Sequence, residues 1–446
     1  MNETAGAEYR SFPPIARVRQ LARGPEVTDV AGAVRHAIVE SKIRSRVKPG
    51  GSVAVTAGSR GIVGIAGILR ATVETLKGMG FAPFVVAAMG SHGGGTADGQ
   101  RTLLAEFGVT EATMGCPVRC DMETVTLGTN AFGLPIEFDR NAFEADGIVV
   151  VNRIKPHTSF TGKYESGLLK MLAIGLGKRA GAAQVHKLGL PGLRTLIPEV
   201  GAFLLKNAPV ALAIGLLENA EERTAKVVGI EPEEVLDAEP KLLDEARGLM
   251  ARLPFDQIDM LVVGELGKNY SGTGLDPNVI GRQRVETMHD LPRPVVTRMV
   301  VLDVSVESHG NALGVGLADL TTDRLIGKMD RTPMRVNCLT SNFLTRARVP
   351  LSFPNDREVY RAAIDTCWRL DWSEARVVLI PNTLELTTLW VSPPLLEEVR
   401  ADPSLRVESD VMPVPFDEEG WLDQESLFPE SVRGRRRRRF AEDLAG

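Results

Sequence analysis

Short apolar runs recur along the chain, most of them followed by turn residues and then by a stretch with helical spacing. The runs fall at 52–56, 84–88, 147–151, 210–216, 260–264, 299–304 and 377–381. Apolar runs of this length without polar alternation are the pattern of strands buried on both faces, as in parallel sheets. Val30, Val34, Ile38 and Ile43 form one apolar stripe and predict a helix over 27–43. Helices are also predicted over 62–79, 98–107, 165–174, 197–206, 240–253 and 357–370, with Pro198 and Pro240 placed in first turns. The order strand, glycine turn, helix over 52–79 is the first half of a βαβ unit. Residues 115–140 read as short strands and turns, and 1–25 as an irregular leader covering an edge. The fold class expected is α/β, with two domains, each a mostly parallel sheet flanked by helices. The long polar glycine loop over 265–278 sets the junction: a catalytic and cofactor domain over 1–266, a C-terminal α/β domain over 267–430, and a basic flexible tail over 431–446.

Charge and composition narrow the function. A net charge of −5 over 446 residues gives no general pull toward nucleic acid or membrane. The basic run Arg433 to Arg439 reads first as a solvated tail, with nucleic acid or phosphate binding as the sharper alternative. No apolar run is long enough to cross a bilayer, and residues 1–14 lack the apolar centre of a signal peptide. Four sparse cysteines, Cys116, Cys120, Cys338 and Cys367, suit a reducing compartment, so a cytoplasmic location is expected. Cys116 and Cys120 are spaced CxxxC, but no second such pair completes a zinc site.

Candidate chemistry concentrates over 152–187, directly after a strand. Arg153, Lys155, His157, Lys163, Lys170, Lys178, Arg179, His186 and Lys187 all fall there. Clustered cations and imidazoles beyond a strand end suit an anionic ligand, because open α/β sheets bind ligands at the carboxyl ends of their strands. His92 sits in the glycine-rich loop Met89 to Thr96 after another strand. It is either an accessible catalytic imidazole or a turn histidine bonded to its own loop. His157 follows Lys155-Pro156; two histidines flanking a substrate could exchange a proton in either direction, and a capping role is the plainer reading. Lys170 lies among leucines, where it either snorkels to solvent or enters a pocket as a nucleophile. His186 alone is a weak metal signal, so any metal there would take most of its ligands from a cofactor. Arg60, after the first strand, could meet a carboxylate bidentately or simply lie on the surface.

Together these residues resemble the lactate racemase family, the nickel-pincer nucleotide enzymes. The resemblance rests on Gly90-Ser-His92-Gly, on His157 ahead of Ser166-Gly167-Leu-Leu-Lys170, and on His186 placed 16 residues beyond that lysine. It implies an active site in an inter-domain crevice. It further implies that Lys170 holds the pyridinium-3,5-bisthiocarboxylic acid mononucleotide nickel complex, with Ser166 and Gly167 beside it, and that His186 is the protein's metal ligand. Tetragonal nickel suits a single protein donor beside cofactor sulfurs and carbon. His92 and His157 would be the acid/base pair and Arg60 would polarise the substrate oxygen, with Lys163, Lys178 and Arg179 as weaker phosphate candidates. The implied partners are a small 2-hydroxy acid substrate and the enzymes that synthesise the cofactor, with no membrane or specific nucleic acid.

Departures from the family pattern point away from lactate itself. Where the family has Asp-x-Thr-Arg, this chain has Ala57-Gly-Ser-Arg60, without the aspartate. The stretch Tyr270-Ser-Gly-Thr-Gly-Leu275 lacks the family's Gln and Lys, with Lys268 and Asn269 as substitutes by position. The segment 160–166 is longer. Another hydroxy acid is therefore expected as substrate. The rival readings are a nucleotide-dependent, alcohol dehydrogenase-like oxidoreductase and a non-catalytic nucleotide- or phosphate-binding protein. No G-x-G-x-x-G follows the first strand, which weighs against the oxidoreductase.

Overall fold

The computed structural model describes residues 11–21, 24–59, 62–285, 289–431 and 433, with only the backbone at 186 and 340. The chain forms two compact units, Gly24–Met250 and Ala251–Gly446 with Met1–Arg23. Both are α/β with mostly parallel sheets flanked by helices.

The Gly24–Met250 unit carries a six-stranded sheet. Its strands are β1 (Ser52–Ala57), β2 (Ala82–Ala87), β3 (Val118–Arg119), β4 (Gly147–Arg153), β5 (Val210–Glu218) and β6 (Thr224–Ile230), in the order β3-β2-β1-β4-β5-β6. All pairings are parallel except that of β5 with β6. Helices α1 (Val30–Val39) and α2 (Ile65–Gly78) pack Val34, Ile38, Ile68, Leu69 and Leu76 on one sheet face, against Val53, Val55, Val149, Val151, Leu212 and Ile214. Burying that apolar face is what holds the sheet, at about 25 cal/mol per Å² removed from water. The remaining long helices are α3 (Ala97–Glu106), α4 (Lys178–Lys187), α5 (Gly189–Asn207) and α6 (Val235–Leu249). The predicted strands and short turns over 115–140 become β3 and an antiparallel hairpin, Thr124–Thr129 with Pro135–Asp139.

The other unit carries an eight-stranded sheet in the order 351–353, 320–322, 295–304, 257–266, 377–380, 388–391, 16–20 and 405–407. Alternation divides its central strands: Leu261, Val263, Met299 and Val301 enter one core, while Met260, Val262, Val300 and Leu302 enter another. Both faces are therefore covered.

The expected boundaries differ from these units. Gln257–Leu266, assigned above to the first domain, is a central strand of the second sheet. The polar glycine loop after it is not a linker: it is largely buried, its Gly267 N–H bonds Gly274 O at 2.9 Å, and Gly274 (φ +81°) packs directly on Leu313 O. The supposed irregular leader supplies the strand Ala16–Gln20, antiparallel to Thr388–Val391 and Leu405–Val407. In the expected tail, Arg433 pairs with Glu265 and Asp303 at 3.2 and 3.4 Å, and residues 434–446 lie outside the described residues.

Candidate functional site

From β1 the chain passes to β2 on one side, and later returns to β4 on the other. That reversal is the topological switch point of an open sheet, where connections diverge and leave room for a ligand beyond the carboxyl ends. Arg60, His92 and His157 follow β1, β2 and β4, which are adjacent and parallel. Arg60 itself lies outside the described residues.

The loop after β2 is built on glycine. Gly90, Gly93, Gly94 and Gly95 all have φ between +57° and +68°, which a side-chain-bearing residue adopts only with strain. Gln100 on α3 is fully buried and anchors the loop, its Nε2 donating to Gly90 O at 3.0 Å and His92 O at 3.3 Å. The His92 backbone N–H bonds Met89 O at 3.0 Å, and the side chain stands exposed at the loop surface.

The segment carrying Lys170 departs from the single helix expected over 165–174. One α-turn, Leu168–Lys170, passes into a π-helical stretch, Met171–Gly175, and α4 follows. Such π segments cluster at functional sites. Two hydrogen bonds tie this segment to the strand ends: Gly90 N–H donates to Gly175 O at 3.0 Å, and the Asn152 side-chain Nδ2, near the end of β4, donates to Gly167 O at 2.7 Å. A methyl group at Gly58, beyond β1, would fall 3.1 Å from Met171 Cε. Lys170 is half-buried on this turn.

A buried carboxylate that sequence reasoning missed holds the turn. Glu239 of α6 is 1% exposed; its Oε2 accepts the Leu169 N–H at 2.9 Å, and its Oε1 lies so close to Gly167 that a Cβ there would come within 2.3 Å. Desolvation pushes its pKa up to about 7, against the lowering pull of the Leu169 and Leu168 N–H groups. Gly167 is thus glycine for lack of space.

After β4, Lys155 and Ser166 bridge as a short antiparallel pair, at 2.8 and 3.3 Å, and close a loop that carries His157 and Lys163. Ser159 N–H donates to His157 Nδ1 at 3.0 Å. Lys163 is exposed, its ammonium 5.3 Å from the Tyr164 ring centre. Arg153 pairs with the half-buried Glu218, which also accepts the Val63 N–H at 3.0 Å.

Lys178 does not fit the phosphate role expected of it. It is 0% exposed; its ammonium meets Asp139 Oδ2 at 2.7 Å and donates to Ala87 O at 2.7 Å. Burial raises the Asp139 pKa and the Lys178 charge opposes that rise. The pair ties the end of β2 to the 135–139 strand and is structural. Arg179, next along, is exposed and lies against Gly95. His186 falls within α4, and its side chain is not among the described groups. In the other unit, Lys268 donates to Gly272 O at 2.9 Å and Asn269 accepts from the Ser305 hydroxyl at 2.6 Å.

Histidine-bearing loops and a lysine-bearing π-turn thus lie beyond the carboxyl edge of an open α/β sheet, the edge at which such folds bind their ligands. Residues 15–193 match the family model of the lactate racemase N-terminal domain. The likeness to the lactate racemase family lies in that stretch, less than half of the chain. The lactate racemase apoprotein of Thermoanaerobacterium thermosaccharolyticum is similar at 11% identity and a TM-score of 0.49, over 82% of this chain and 94% of that one; so distant a likeness carries no residue roles. No curated protein matches. Among the described residues, no helix is long and apolar enough to cross a membrane.

Proposed function

We propose that the protein is a nickel-pincer nucleotide-dependent racemase or epimerase of a 2-hydroxy acid. The observation that carries this reading is the pair of hydrogen bonds, Gly90 N–H to Gly175 O and Asn152 Nδ2 to Gly167 O, that ties the Lys170 segment to the ends of β2 and β4, the strands that His92 and His157 follow. The residues fit a bound nucleotide in part. Lys170 stands half-buried beside Ser166 and Gly167, with Lys163 and Arg179 exposed as phosphate partners, while Lys178 is committed to Asp139. His186 would be the single protein ligand to nickel. When bound, the cofactor would accept and return hydride at the substrate carbon. The chain's own work is to hold a proton at each imidazole, to orient the acid through Arg60, and to hold the carboxyl end of the sheet rigid. The cofactor-synthesis enzymes would be the upstream partners, and the departures at 57–60 and 270–275 favour a hydroxy acid other than lactate.

The test is production of the full chain in a host carrying the cofactor-synthesis enzymes, followed by nickel analysis and intact mass. About one nickel per chain and an added nucleotide mass, both lost in Lys170→Ala, are the expected results. Absence of nickel from the wild-type protein, or an adduct that survives Lys170→Ala, would overturn the assignment.

A further inference from the structure

The loop carrying His157 is organised from beneath by α6. Glu165 is 2% exposed and its carboxylate accepts the His157 N–H at 2.7 Å and the Gly162 N–H at 2.8 Å. Arg247 of α6 meets the same carboxylate at 2.6 Å and also donates to Gly162 O at 3.2 Å. A second tie comes from Pro240, which lies inside α6 rather than at its start. Proline has no N–H for the carbonyl four residues back, so Leu236 O is released from the helix ladder. The Tyr164 hydroxyl takes that carbonyl at 2.8 Å. Base, tip and flank of the loop are thus fixed by Lys155–Ser166, Glu165–Arg247 and Tyr164–Leu236.

Within the loop, His157 Nδ1 accepts the Ser159 N–H, and its ring lies 4.5 Å from that of Phe160, tilted by 32°. A ring nitrogen that accepts a hydrogen bond carries a lone pair, so a neutral ring held this way bears its proton on Nε2. We propose that Glu165, braced by Arg247, is a positioning residue that presents His157 as a neutral, Nε2-protonated imidazole. Resting on the racemase reading above, this makes the two histidines unequal at the outset. His157 meets the substrate oxygen as a hydrogen-bond donor, and His92, on its glycine loop, is the one that first accepts a proton. For His157 to accept a proton the Ser159 bond must open, so that Nδ1 takes the proton directly or the ring changes tautomer and frees the Nε2 lone pair.

The test uses the full chain labelled with nitrogen-15 in its six histidines, with the His157 ring signals assigned by their loss in His157→Gln. Expected at neutral pH is the coupling pattern of a neutral ring protonated on Nε2. In Glu165→Gln, which loses the Arg247 pair and one acceptor, that pattern should give way to averaged tautomers. Amide exchange over 156–166 should rise roughly tenfold, with Arg247→Lys intermediate. A wild-type ring that is protonated on Nδ1, or is an imidazolium, overturns the proposal whatever the variants do. So does a Glu165→Gln protein with unchanged ring and exchange. Because neither measurement needs nickel or turnover, a protein that passes here and holds no nickel refutes the racemase reading alone.

Discussion

Replacing Glu239 by Gln isolates the most perturbed buried carboxyl behind the site. Burial raises its pKa from the ordinary 4.5 to about 7, so the folded protein favours the protonated form. The sign follows from linkage: the contribution to stability is fully present below pH 4.5 and is lost as pH rises through about 7. At about 1.36 kcal/mol per pH unit, the shift amounts to about 3 kcal/mol, most of it falling between pH 5 and pH 8. Gln keeps a carbonyl oxygen for the Leu169 N–H but does not titrate. The wild type should therefore lose about 2.5 kcal/mol relative to Glu239→Gln between pH 5 and pH 8. Trp368, Trp372, Trp390 and Trp421 all lie in the other unit, so tryptophan fluorescence is blind to this change. Urea-dependent hydrogen exchange of peptides over 160–176 and 235–249 reports it directly. Parallel stabilities for the two proteins across that pH range would refute the reasoning, since they require a carboxyl that is solvated or neutralised by a cation.

Two further substitutions probe the same unit. Gly167→Ala places a methyl group against the Glu239 carboxylate and should cost about 1–3 kcal/mol as overpacking; in a double-mutant cycle read by denaturant melts, Glu239→Ala should relieve most of that cost, and strict additivity would argue that the two do not touch. Lys178→Met leaves Asp139 buried without its cation and should cost about 3–5 kcal/mol in thermal or urea unfolding; a protein of unaltered stability that merely loses nucleotide would return Lys178 to the phosphate role.

Strands were legible wherever burial on both faces left unbroken β-branched runs, as at β1, β2 and β4. The strand Ala16–Gln20 was not, because Arg17 and Arg19 interrupt it; both reach Glu408, which lets a basic segment sit inside a sheet. The polar loop after Gln257–Leu266 looked like a linker because its buried polar groups pair with one another, as Ser271 with Thr273 at 3.1 Å, a match no periodicity reveals. That His92 and His157 lie in loops beyond strand ends was legible from the apolar runs before them. Lys178 was misread because a buried lysine is recognisable only once Asp139 is placed beside it. The carboxylates behind the site, Glu165, Glu218 and Glu239, left only faint marks: one precedes Ser166-Gly167, and another sits beside a helix proline.

Those supporting side chains follow a rule that the sheet imposes. Loops beyond strand ends lose the ladder, so their backbone groups need partners from side chains. Where a loop offers N–H groups, the chain supplies carboxylates: Glu165 beneath His157 and Glu239 beneath Leu169. Where the His92 loop offers carbonyls, it supplies the donor Gln100. Gln100→Glu therefore tests the rule with almost no change of shape. Above neutral pH a carboxylate would face the Gly90 and His92 carbonyls, losing two hydrogen bonds and burying a charge, at a cost of about 2–4 kcal/mol. On acidification the Glu carboxyl, raised by the same surroundings, becomes a donor again, so the deficit relative to wild type should shrink as pH falls. Gln100→Met, which cannot donate at any pH, should carry a deficit independent of pH. Hydrogen exchange of amides over 88–96 in the three proteins at pH 5 and pH 8 separates these outcomes. A Gln100→Glu loop as protected as wild type at pH 8 would mean that the carbonyls of the His92 loop are satisfied elsewhere, and that the loop does not depend on α3 for its shape.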